Sequence, residues 1–414
     1  MPWKNKQLPE FGVLRGLKVV HSTVSIAGPF GVQLLADHGA DVIWIENAKA
    51  PDLARFTHSY AVESDRRNQR GIALNIPSPE GREIFLKLIE DADIFVEASK
   101  GGQYVKWGLS DDVLWSVNPK LVIIHISGFG QTGLPQYISR ASYDQVIQAF
   151  SGYMYMNRNP VTAPYAVGPC AADFFTGVYV AFSAMAALYR VRETGKGESV
   201  DLAQAEVMLR TQHRQSDGLS GNTTIVAGYP SPTAGIGSYE CADGQFISCN
   251  LVGPSVFKKT CEFLGLDYGG PDIPEGTQMG RMNTKIGQIV HSALQKYFMS
   301  KTAAEAEAEM QALNLSVNKV NTFEDVANDP QMQARGAIVE YPNAKGDPVR
   351  CAGPVPLFTN NPGKVWRYAP AYGMDNEEVL GELGYSSDYI NELYEKGIIN
   401  KDREMKLTFP YCLE

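Results

Sequence analysis

Residues 17–46 read LKVVHSTVSIAGPFGVQLLADHGADVIWIE, and this stretch decides the fold of the 414-residue chain. Two β-branched runs flank an amphipathic segment that is interrupted by Gly28-Pro29 and Gly39. An apolar run, a helical period and a second apolar run predict a strand, a helix and another strand. Because parallel strands are joined by a crossover that is usually a helix, we predict a βαβ unit here.

The same pattern continues along the first third of the chain. Residues 78–99, SPEGREIFLKLIEDADIFVEAS, predict a helix that begins at Ser78 or Glu80 and a strand at DIFVEA. Residues 121–127, LVIIHIS, predict a further strand. Strands that alternate with helices are typical of an α/β fold. We therefore predict an open, mostly parallel, Rossmann-like sheet with helices on both faces.

The middle of the chain predicts a long helix and then a change of architecture. An apolar helix is predicted from Asp173 to about Glu193, closed by Gly195 before the strand SVDLA. Residues 217–237 are rich in turn formers and predict a linker, and a hairpin with Asp243-Gly244 at its turn follows. The predicted domains are a large Rossmann-like domain in residues 1–220, a smaller α/β domain with its linker in residues 221–328, and a return segment, 329–414, that completes the large domain.

Composition excludes several classes of function. A net charge of −9 at pH 7 opposes binding to a nucleic-acid backbone, which needs a cationic surface. Six cysteines without a C-x-x-C pair indicate neither a zinc site nor a disulfide framework. The N-terminus shows no secretory signal, and the apolar run at residues 174–189 is shorter than the roughly 20 residues that span a bilayer. We expect a cytoplasmic protein with no metal site and no nucleic-acid or membrane partner.

Two short motifs indicate chemistries that their surroundings oppose. Residues 128–133, GFGQTG, match the G-x-G-x-x-G pattern of dinucleotide sites, but Leu134-Pro135 follows where a helix should begin. A glycine turn is the simpler interpretation. His213 with Asp217-Gly218 matches an H-x-x-x-D-G acyltransferase motif, in which the histidine takes a proton from the acceptor. An acyl-CoA acyltransferase that uses His213 therefore stays an alternative, as does the polar end of a linker helix.

Cationic side chains are concentrated at predicted strand ends. Arg66 and Arg70 belong to the run DRRNQR at residues 65–70, and Lys100 and Lys106 follow the strand DIFVEA. In an acidic protein, an anionic ligand must meet such local positive charge. Ligands of open α/β sheets bind beyond the carboxyl ends of the strands, where Lys100 and Lys106 are predicted to lie. The alternative is a solvated run of surface charge.

Asp173 stands at the start of the predicted apolar helix. In that position its carboxylate can cap the helix by accepting a backbone N–H. The helix dipole would also keep the carboxylate ionised while apolar neighbours limit its hydration, and these conditions suit a nucleophile. Its residue type and position are therefore compatible with a structural cap and with covalent catalysis.

The order of segments along nearly the whole chain resembles the class III CoA-transferase family, of the formyl-CoA and carnitine type. The matching segments are AGPFGVQLLADHGADVIWIE, SPEGR, EASKGG, NPKLVIIHISGFGQTG, SYDQVIQAFSGY, AADFFTG, TGKGESVDLA, YECADGQF and GMDNEEVLGELGY. The resemblance implies an enzyme that moves CoA between an acyl-CoA and a carboxylic acid without a tightly bound cofactor. It also implies a homodimer whose ring-like chains interlock.

The resemblance assigns roles to individual residues. The family's nucleophilic aspartate, in a D-x-x-x-G context, falls on Asp173 with Gly177 after it, and its cationic CoA ligand falls on Lys106. The family's glycine-rich lid falls on residues 234–237, which hold fewer glycines than the family pattern. The candidate site residues are Asp173 as the catalyst, Lys100, Lys106, Arg66, Arg70 and Ser25 as CoA contacts, and Tyr143, Gly235 and Gly237 at the substrate and lid.

Two departures from family patterns narrow the reaction. Ile26 stands where formyl-CoA transferase has a glutamine, so a polar group that suits a very small acid is missing, and formate and oxalate are disfavoured. Tyr143-Asp144 stands where the related α-methylacyl-CoA racemases have His-Asp. Without that histidine the proton-abstracting pair is incomplete, and racemisation is disfavoured.

Two subfamilies compete for the second substrate. VIWIEN, AGIGSYECADG and IPEGTQ are typical of carnitine/crotonobetaine transferases, whereas GGQY, RASYD and ELYEKGIIN are typical of bile-acid CoA-transferases. We favour the carnitine type, with Trp107, Tyr153, Tyr155 and Tyr165 as candidate aromatic walls for a trimethylammonium group. Ordinary core or loop aromatics are the alternative. A non-catalytic acyl-CoA-binding subunit, with Asp173 as a structural cap, is the remaining alternative function.

Overall fold

The computed structural model of the chain describes residues 9–57, 61–157, 163–213, 215–221 and 231–402. The described residues form two units. The first is drawn from Met1–Met154, Ala166–Ser220 and Gln333–Glu414, and the second from Tyr155–Tyr165 and Gly221–Met332.

A six-stranded parallel sheet is the centre of the first unit. Its strands are β1 (Lys18–His21), β2 (Asp41–Glu46), β3 (Arg70–Ala73), β4 (Ile94–Glu97), β5 (Val122–Ser127) and β6 (Glu198–Ala203). The first five strands are buried over nearly their whole length, as strands covered on both faces must be. The strand order is β3-β2-β1-β4-β5-β6, so the direction of winding reverses between β1 and β4. The predicted open, parallel, Rossmann-like sheet is confirmed.

Helices account for much of the remaining described chain in both units. Helix starts follow local sequence signals, as at Ser78, whose hydroxyl accepts the Gly81 N–H at 3.1 Å. In chain order the helices are α1 (Ala27–Asp37), α2 (Ala54–Thr57), α3 (Ala61–Arg66), α4 (Pro79–Glu90), α5 (Gln103–Lys106), α6 (Asp111–Val117), α7 (Pro135–Ile138), α8 (Asp144–Phe150), α9 (Tyr153–Met156), α10 (Ala171–Thr194), α11 (Gln204–Thr211), α12 (Gln215–Leu219), α13 (Pro254–Phe263), α14 (Lys285–Phe298), α15 (Ala303–Ala312), α16 (Phe323–Asn328), α17 (Pro330–Ala334), α18 (Asn376–Glu382) and α19 (Ser387–Glu395).

Helices cover the parallel sheet on both faces, as predicted. On one face α1 and α10 pack against the strands, with Val32 and Val180 in the shared core. On the other face α4 packs together with the C-terminal helices α18 and α19, and Phe85, Leu380 and Leu393 belong to one apolar cluster. The C-terminal helices therefore return to the first unit and complete its core.

Helix α10 lies where the sequence predicts a long helix. It is longer than the apolar run at residues 174–189. It spans 24 residues and ends at Gly195, which adopts the left-handed conformation (φ +68°) that glycine favours at helix ends. By length and apolar composition it is long enough to cross a membrane. Eight of its residues are nevertheless buried within the first unit, including Val180, Ala184 and Leu188.

The second unit is a small α/β arrangement of its own. Strands β7 (Ile236–Glu240), β8 (Phe246–Asn250) and β9 (Val317–Lys319) form an antiparallel sheet. The predicted hairpin is confirmed, with Gly244 left-handed at its turn (φ +74°). Phe257, Leu294 and Met310 of α13, α14 and α15 belong to its core.

Part of the predicted linker, residues 222–230, lies outside the described residues. A further hairpin, β10 (Ile338–Pro342) with β11 (Pro348–Ala352), belongs to the first unit.

Two glycines let α1 and α10 approach each other closely. A Cβ atom at Gly31 would lie 2.6 Å from the Gly177 carbonyl oxygen and 2.7 Å from the Val180 Cβ. A Cβ atom at Gly177 would lie 2.6 Å from the Phe30 ring and 2.9 Å from the Ala27 carbonyl oxygen. Backbone atoms of packed helices cannot yield by this amount without moving the helices. Any side chain at either position therefore separates them.

We predict that Gly177→Ala destabilises the fold by about 1 to 3 kcal/mol, because overpacking outweighs the gain in helix propensity. Gly381→Ala in α18 is the matched control, since a Cβ atom there meets nothing within 4 Å. We expect this control to gain up to about 1 kcal/mol. Urea unfolding of both variants measures the difference, and a Gly177→Ala protein as stable as the wild type would contradict the close contact.

Candidate active site

The loops after β1, β4 and β5 meet at the carboxyl edge of the parallel sheet. The strand order reverses between β1 and β4, and ligands of open α/β sheets bind in the crevice that such a reversal creates. A cavity of about 240 Å³ lies at this place. Its lining includes four predicted site residues, Ser25, Lys100, Tyr143 and Asp173, together with Arg140 and Gln204.

Asp173 is a partly buried carboxylate in this cavity, held by one hydrogen bond from a side chain. Gln204, the residue that follows β6, donates from Nε2 to Asp173 Oδ1 at 2.8 Å. Burial raises the pKa of Asp173 to about 6, the Gln204 hydrogen bond opposes that rise, and the charge of Asp144 adds to it. At neutral pH the carboxylate is therefore ionised but poorly hydrated, and Oδ2 remains for an incoming electrophile. These are the properties of a nucleophile.

The structure corrects the expectation that Asp173 is the N-cap of its helix. Helix α10 begins two residues earlier, at Ala171, and its N-cap residue is Cys170, which makes no capping hydrogen bond with its side chain. The cap comes from another helix, because Asp144 Oδ1 accepts the Ala172 N–H at 2.7 Å. The carboxylate of Asp173 is thus left to the cavity.

The expected CoA contact Arg66 is instead buried behind Ser25, which lines the cavity. Its guanidinium donates to Asp52 Oδ2 at 2.5 Å and to the Ser25 carbonyl oxygen at 2.6 Å. Both carboxylate oxygens of Asp52 accept the Ser25 N–H at 3.1 Å. These contacts hold Ser25 in the left-handed conformation (φ +62°), which a serine adopts only when its surroundings impose it. Arg66 therefore shapes the Ser25 turn and cannot reach a phosphate.

Arg70, the other arginine expected to contact CoA, is likewise unavailable. It lies in β3 with its side chain 1% exposed, and it pairs with Asp41 at 3.0 Å and Glu382 at 2.8 Å. A buried guanidinium needs such partners, because an unpaired charge in the interior is costly. We remove Arg66 and Arg70 from the set of candidate CoA contacts.

A cluster of charged side chains joins β4 to β5. It lies beneath the loop that carries Lys100. His125 Nδ1 lies 2.7 Å from Glu97 Oε1, and its Nε2 lies 2.9 Å from Asp111 Oδ1. Burial opposes the charge of the imidazole, but the hydrogen bonds to Asp111 and Glu97 prevail and raise the pKa of His125 to about 9. The Ser99 hydroxyl donates to the other oxygen of Glu97. The cluster therefore fixes the loop from which Lys100 lines the cavity.

Three other predicted residues lie outside the described lining of the cavity. Lys106 is exposed at the end of α5. Gly235 and Gly237 belong to the second unit, and both are left-handed (φ +78° and +120°). The Gly235 N–H already donates to the Tyr239 hydroxyl at 2.9 Å, so it is not available to an oxyanion. The lid role of this loop stays a prediction.

The two rejected motifs have structural explanations. A carboxylate of the protein occupies the glycine turn, because Asp201 accepts the Gln131 N–H with both oxygens at 2.9 Å. Gly128 is required by packing, since a Cβ atom there would lie 2.0 Å from the Ser142 hydroxyl oxygen. His213 is exposed and does not belong to the lining that contains Asp173. No group of three or more potential metal ligands occurs in the part of the chain that the structure describes.

Sequence reasoning missed Gln204, Arg140 and the capping role of Asp144. Gln204 had a weak signal, because it is the first residue after the strand SVDLA and therefore lies at the ligand edge of the sheet. Arg140 lines the cavity and lies over the Phe129 ring at 5.0 Å. No ion-pair partner of Arg140 occurs among the described residues.

A parallel α/β sheet with a desolvated carboxylate in its carboxyl-edge cavity is compatible with covalent acyl transfer. The family model described as CoA-transferase family III matches residues 14–376, and the chain belongs to this family. The fold is similar to that of a CAIB/BAIF family protein from Brucella suis, with 28% identity over 90% of this chain and 100% of that chain and a TM-score of 0.77. It is also similar to the fold of Rv3272 from M. tuberculosis, with 24% identity over 90% and 99% of the two chains and a TM-score of 0.74.

We predict that Gln204→Leu moves the acidic limb of the pH profile of kcat/KM to higher pH. In the wild type this limb should fall about tenfold per pH unit below a pKa of about 6, as Asp173 becomes protonated. Gln204→Leu removes a hydrogen bond that favours the ionised form, so the pKa of Asp173 rises. Gln212→Leu is the matched control, because the Gln212 side chain donates to the backbone carbonyls of Ser151 and Met208 and does not belong to the described lining of the cavity. If the acidic limb lies at the same pH in Gln204→Leu as in Gln212→Leu and the wild type, this role of Gln204 is contradicted.

Proposed function

We propose that this chain is a CoA-transferase in which Asp173 carries the acyl group and CoA between two carboxylic acids. Membership of CoA-transferase family III indicates the general activity. One observation supports the nucleophile: Asp173 lines the carboxyl-edge cavity, and its burial raises its pKa to about 6. Such a carboxylate gains more from reacting with an electrophile than a fully hydrated one does.

The reaction starts when Asp173 Oδ2 attacks the thioester carbonyl of the donor acyl-CoA. The C–S bond breaks, CoA leaves as the thiolate, and a mixed anhydride forms between the acyl group and Asp173. The thiolate then attacks the Asp173 carbonyl of this anhydride, the donor acid leaves as a carboxylate, and an aspartyl-CoA thioester remains. Each intermediate keeps the energy of the thioester as long as water is excluded.

The acceptor acid completes the exchange by the same steps in reverse. Its carboxylate attacks the aspartyl-CoA thioester, which releases the CoA thiolate and forms a second anhydride. The thiolate attacks the acceptor carbonyl of that anhydride, giving the new acyl-CoA and restoring the Asp173 carboxylate. Gln204, which donates to Oδ1, holds the carboxylate in one orientation during the cycle.

Positive charge for the substrates comes from Lys100, Lys106 and Arg140. Lys100 and Arg140 line the cavity, where they suit the carboxylate of the incoming acid. Lys106 is exposed at the end of α5, and its proposed role as a phosphate contact rests on the family resemblance. Ser25 lines the cavity and stays a proposed CoA contact.

We propose a carnitine- or betaine-type acid as the acceptor, on the resemblance of the sequence segments. Ile26, Ile126 and Ile138 give the cavity apolar walls that suit the methyl groups of a quaternary ammonium ion. The aromatic side chains named for this role do not belong to the described lining of the cavity. Trp107 packs on Tyr104 with a centroid distance of 5.0 Å, Tyr153 packs beside the cluster that contains Met208, and Tyr155 and Tyr165 belong to the second unit. A bile acid is the alternative acceptor.

A homodimer is the proposed assembly. Helix α10 exposes Phe175, Val178, Phe182 and Tyr189, with Phe182 66% and Tyr189 69% exposed. Large apolar side chains that share one helix face indicate a surface covered by a partner. We propose that a second copy of the chain covers it, as the family resemblance implies. Sedimentation of the full chain as a monomer at micromolar concentration would contradict this assembly.

The two alternative functions lose support from the geometry of the site. The acyltransferase alternative needs His213 beside the substrate, but this histidine is exposed and lies outside the described lining of the cavity. A non-catalytic subunit would need Asp173 only as a helix cap, a role that Asp144 performs.

We keep the cytoplasm as the proposed location.

We predict that Asp173→Ala and Asp173→Asn lower CoA exchange by at least about 1000-fold, because no carboxylate remains to accept the acyl group. Binding of CoA should stay within about threefold of the wild type, because the nucleophile contributes little to ground-state affinity. The assay follows transfer of CoA to carnitine, butyrobetaine and bile acids, and calorimetry measures CoA affinity.

Asp93→Asn is the matched control for this prediction. Asp93 is a partly buried carboxylate at the opposite edge of the sheet, where it accepts the Lys18 N–H at 2.8 Å. The same change of charge at this place should leave exchange unchanged. Turnover in both Asp173 variants would remove Asp173 from the chemistry, and loss of activity in His213→Ala alone would favour the acyltransferase.

A further inference from the structure

Asp144 is a buried carboxylate beside the site, and the steps of CoA transfer do not use it. Its side chain is 7% exposed in the fold and does not belong to the described lining of the cavity. One oxygen, Oδ1, accepts the Ala172 N–H at 2.7 Å and the Asp173 N–H at 3.4 Å. The other oxygen, Oδ2, accepts Gln148 Nε2 at 2.7 Å. Both oxygens are therefore bonded to protein donors.

The first N–H groups of α10 need an acceptor from outside the helix. Cys170 occupies the N-cap position in a left-handed conformation (φ +55°) and supplies no side-chain acceptor. The first N–H groups of any helix have no partner within it, and a buried N–H without a partner costs free energy. A carboxylate at this end also interacts favourably with the helix dipole. Asp144 meets both needs from a different helix, α8.

Gln148 anchors Asp144 to the segment that leads into α10. Its Nε2 donates to Asp144 Oδ2 and to the Val167 carbonyl oxygen at 3.0 Å. Its Oε1 accepts the Val167 N–H at 2.8 Å. The side chain of Gln148 is fully buried, so water does not compete for these bonds. Helix α8 and the start of α10 are thereby held as one polar cluster.

We propose that Asp144 is a positioning residue that caps α10 from α8 and so leaves the Asp173 carboxylate free to react. This inference rests on the proposed function of Asp173. If Asp144 were absent, the Asp173 carboxylate would be the nearest acceptor for the open N–H groups of its own helix. A carboxylate that caps a helix is bonded and turned away from its substrate.

The charge of Asp144 has a second effect on the nucleophile. Burial is the largest cause of the raised pKa of Asp173, and the hydrogen bond from Gln204 opposes it. The negative charge of Asp144 raises this pKa further. Among the described residues, the other titratable or charged groups around this carboxylate are Cys170 at the helix start, Asp65, whose charge acts on Cys170, and Lys100, Arg140 and Tyr143 in the lining of the cavity. Removing the charge of Asp144 while keeping an oxygen should therefore lower the pKa of Asp173.

The test compares Asp144→Ala and Asp144→Asn with Ser78→Ala in the full chain. Ser78→Ala deletes a cap of similar type at α4, far from the cavity, and controls for the loss of stability that follows from deletion of any cap. We expect Asp144→Ala to lower kcat by about 10- to 100-fold, with the KM for the donor acyl-CoA within about threefold, because the nucleophile is misplaced. Ser78→Ala should keep kcat. Asp144→Asn keeps one acceptor oxygen for the Ala172 N–H and loses the bond from Gln148 Nε2, so it should recover part of kcat and shift the acidic limb to lower pH.

A readout without turnover separates this inference from the proposed function. Hydrogen exchange at the amides of Ala172 and Asp173 should be faster in Asp144→Ala than in the wild type, and unchanged in Ser78→Ala. Slow exchange in Asp144→Ala, or a kcat equal to that of Ser78→Ala, would overturn the capping role. If Asp144→Ala does not fold, an acidic limb that stays in place in Asp144→Asn would overturn the inference. CoA exchange by Asp173→Ala would instead contradict the proposed function. The hydrogen-exchange result would then still test whether Asp144 caps α10.

Discussion

The close contact between α1 and α10 determines where the reacting carboxylate lies. Gly31 and Gly177 bring the two helix backbones together, so α10 packs on the sheet with its N-terminus at the carboxyl edge. Asp173 is the third residue of that helix and therefore lies in the cavity where the strand order reverses. Burial at this place raises the pKa of Asp173. Packing of the core and reactivity of the site thus depend on the same helix.

Buried ion pairs support the first unit around the cavity, and among the described residues Lys100 and Arg140 line the cavity without a carboxylate partner. Arg66 and Asp52 hold the Ser25 turn, and Arg70 joins β3 to Asp41 and to α18. A buried arginine is stable only when it is paired in this way, and pairing removes it from ligand binding. Lys100 and Arg140 line the cavity and are the proposed contacts of a substrate carboxylate. An acidic protein can therefore hold an anionic substrate locally.

Local patterns predicted the elements of the fold, whereas the details of the site depend on residues far apart in the chain. The βαβ unit, the end of α10 at Gly195 and the hairpin at Gly244 follow from apolar periods and glycine positions. The role of Asp173 was suggested by the order of family segments. The Gln204 hydrogen bond and the cap from Asp144 join residues 31 and 28 positions apart, and no local pattern indicates them. Arg66 and Arg70 were predicted as CoA ligands, but a basic run does not show which carboxylates will bury it, and these two arginines are paired with Asp52 and Asp41.

The central claim is that Asp173 becomes covalently acylated during CoA transfer. The most direct measurement is hydroxylamine trapping, in which the protein is mixed with a donor acyl-CoA and hydroxylamine, digested and analysed by mass spectrometry. The account predicts a hydroxamate at Asp173 that requires the acyl-CoA and that does not form at the neighbouring Asp144. A peptide that contains unmodified Asp173 under conditions of active exchange, or a hydroxamate at another residue, would contradict it.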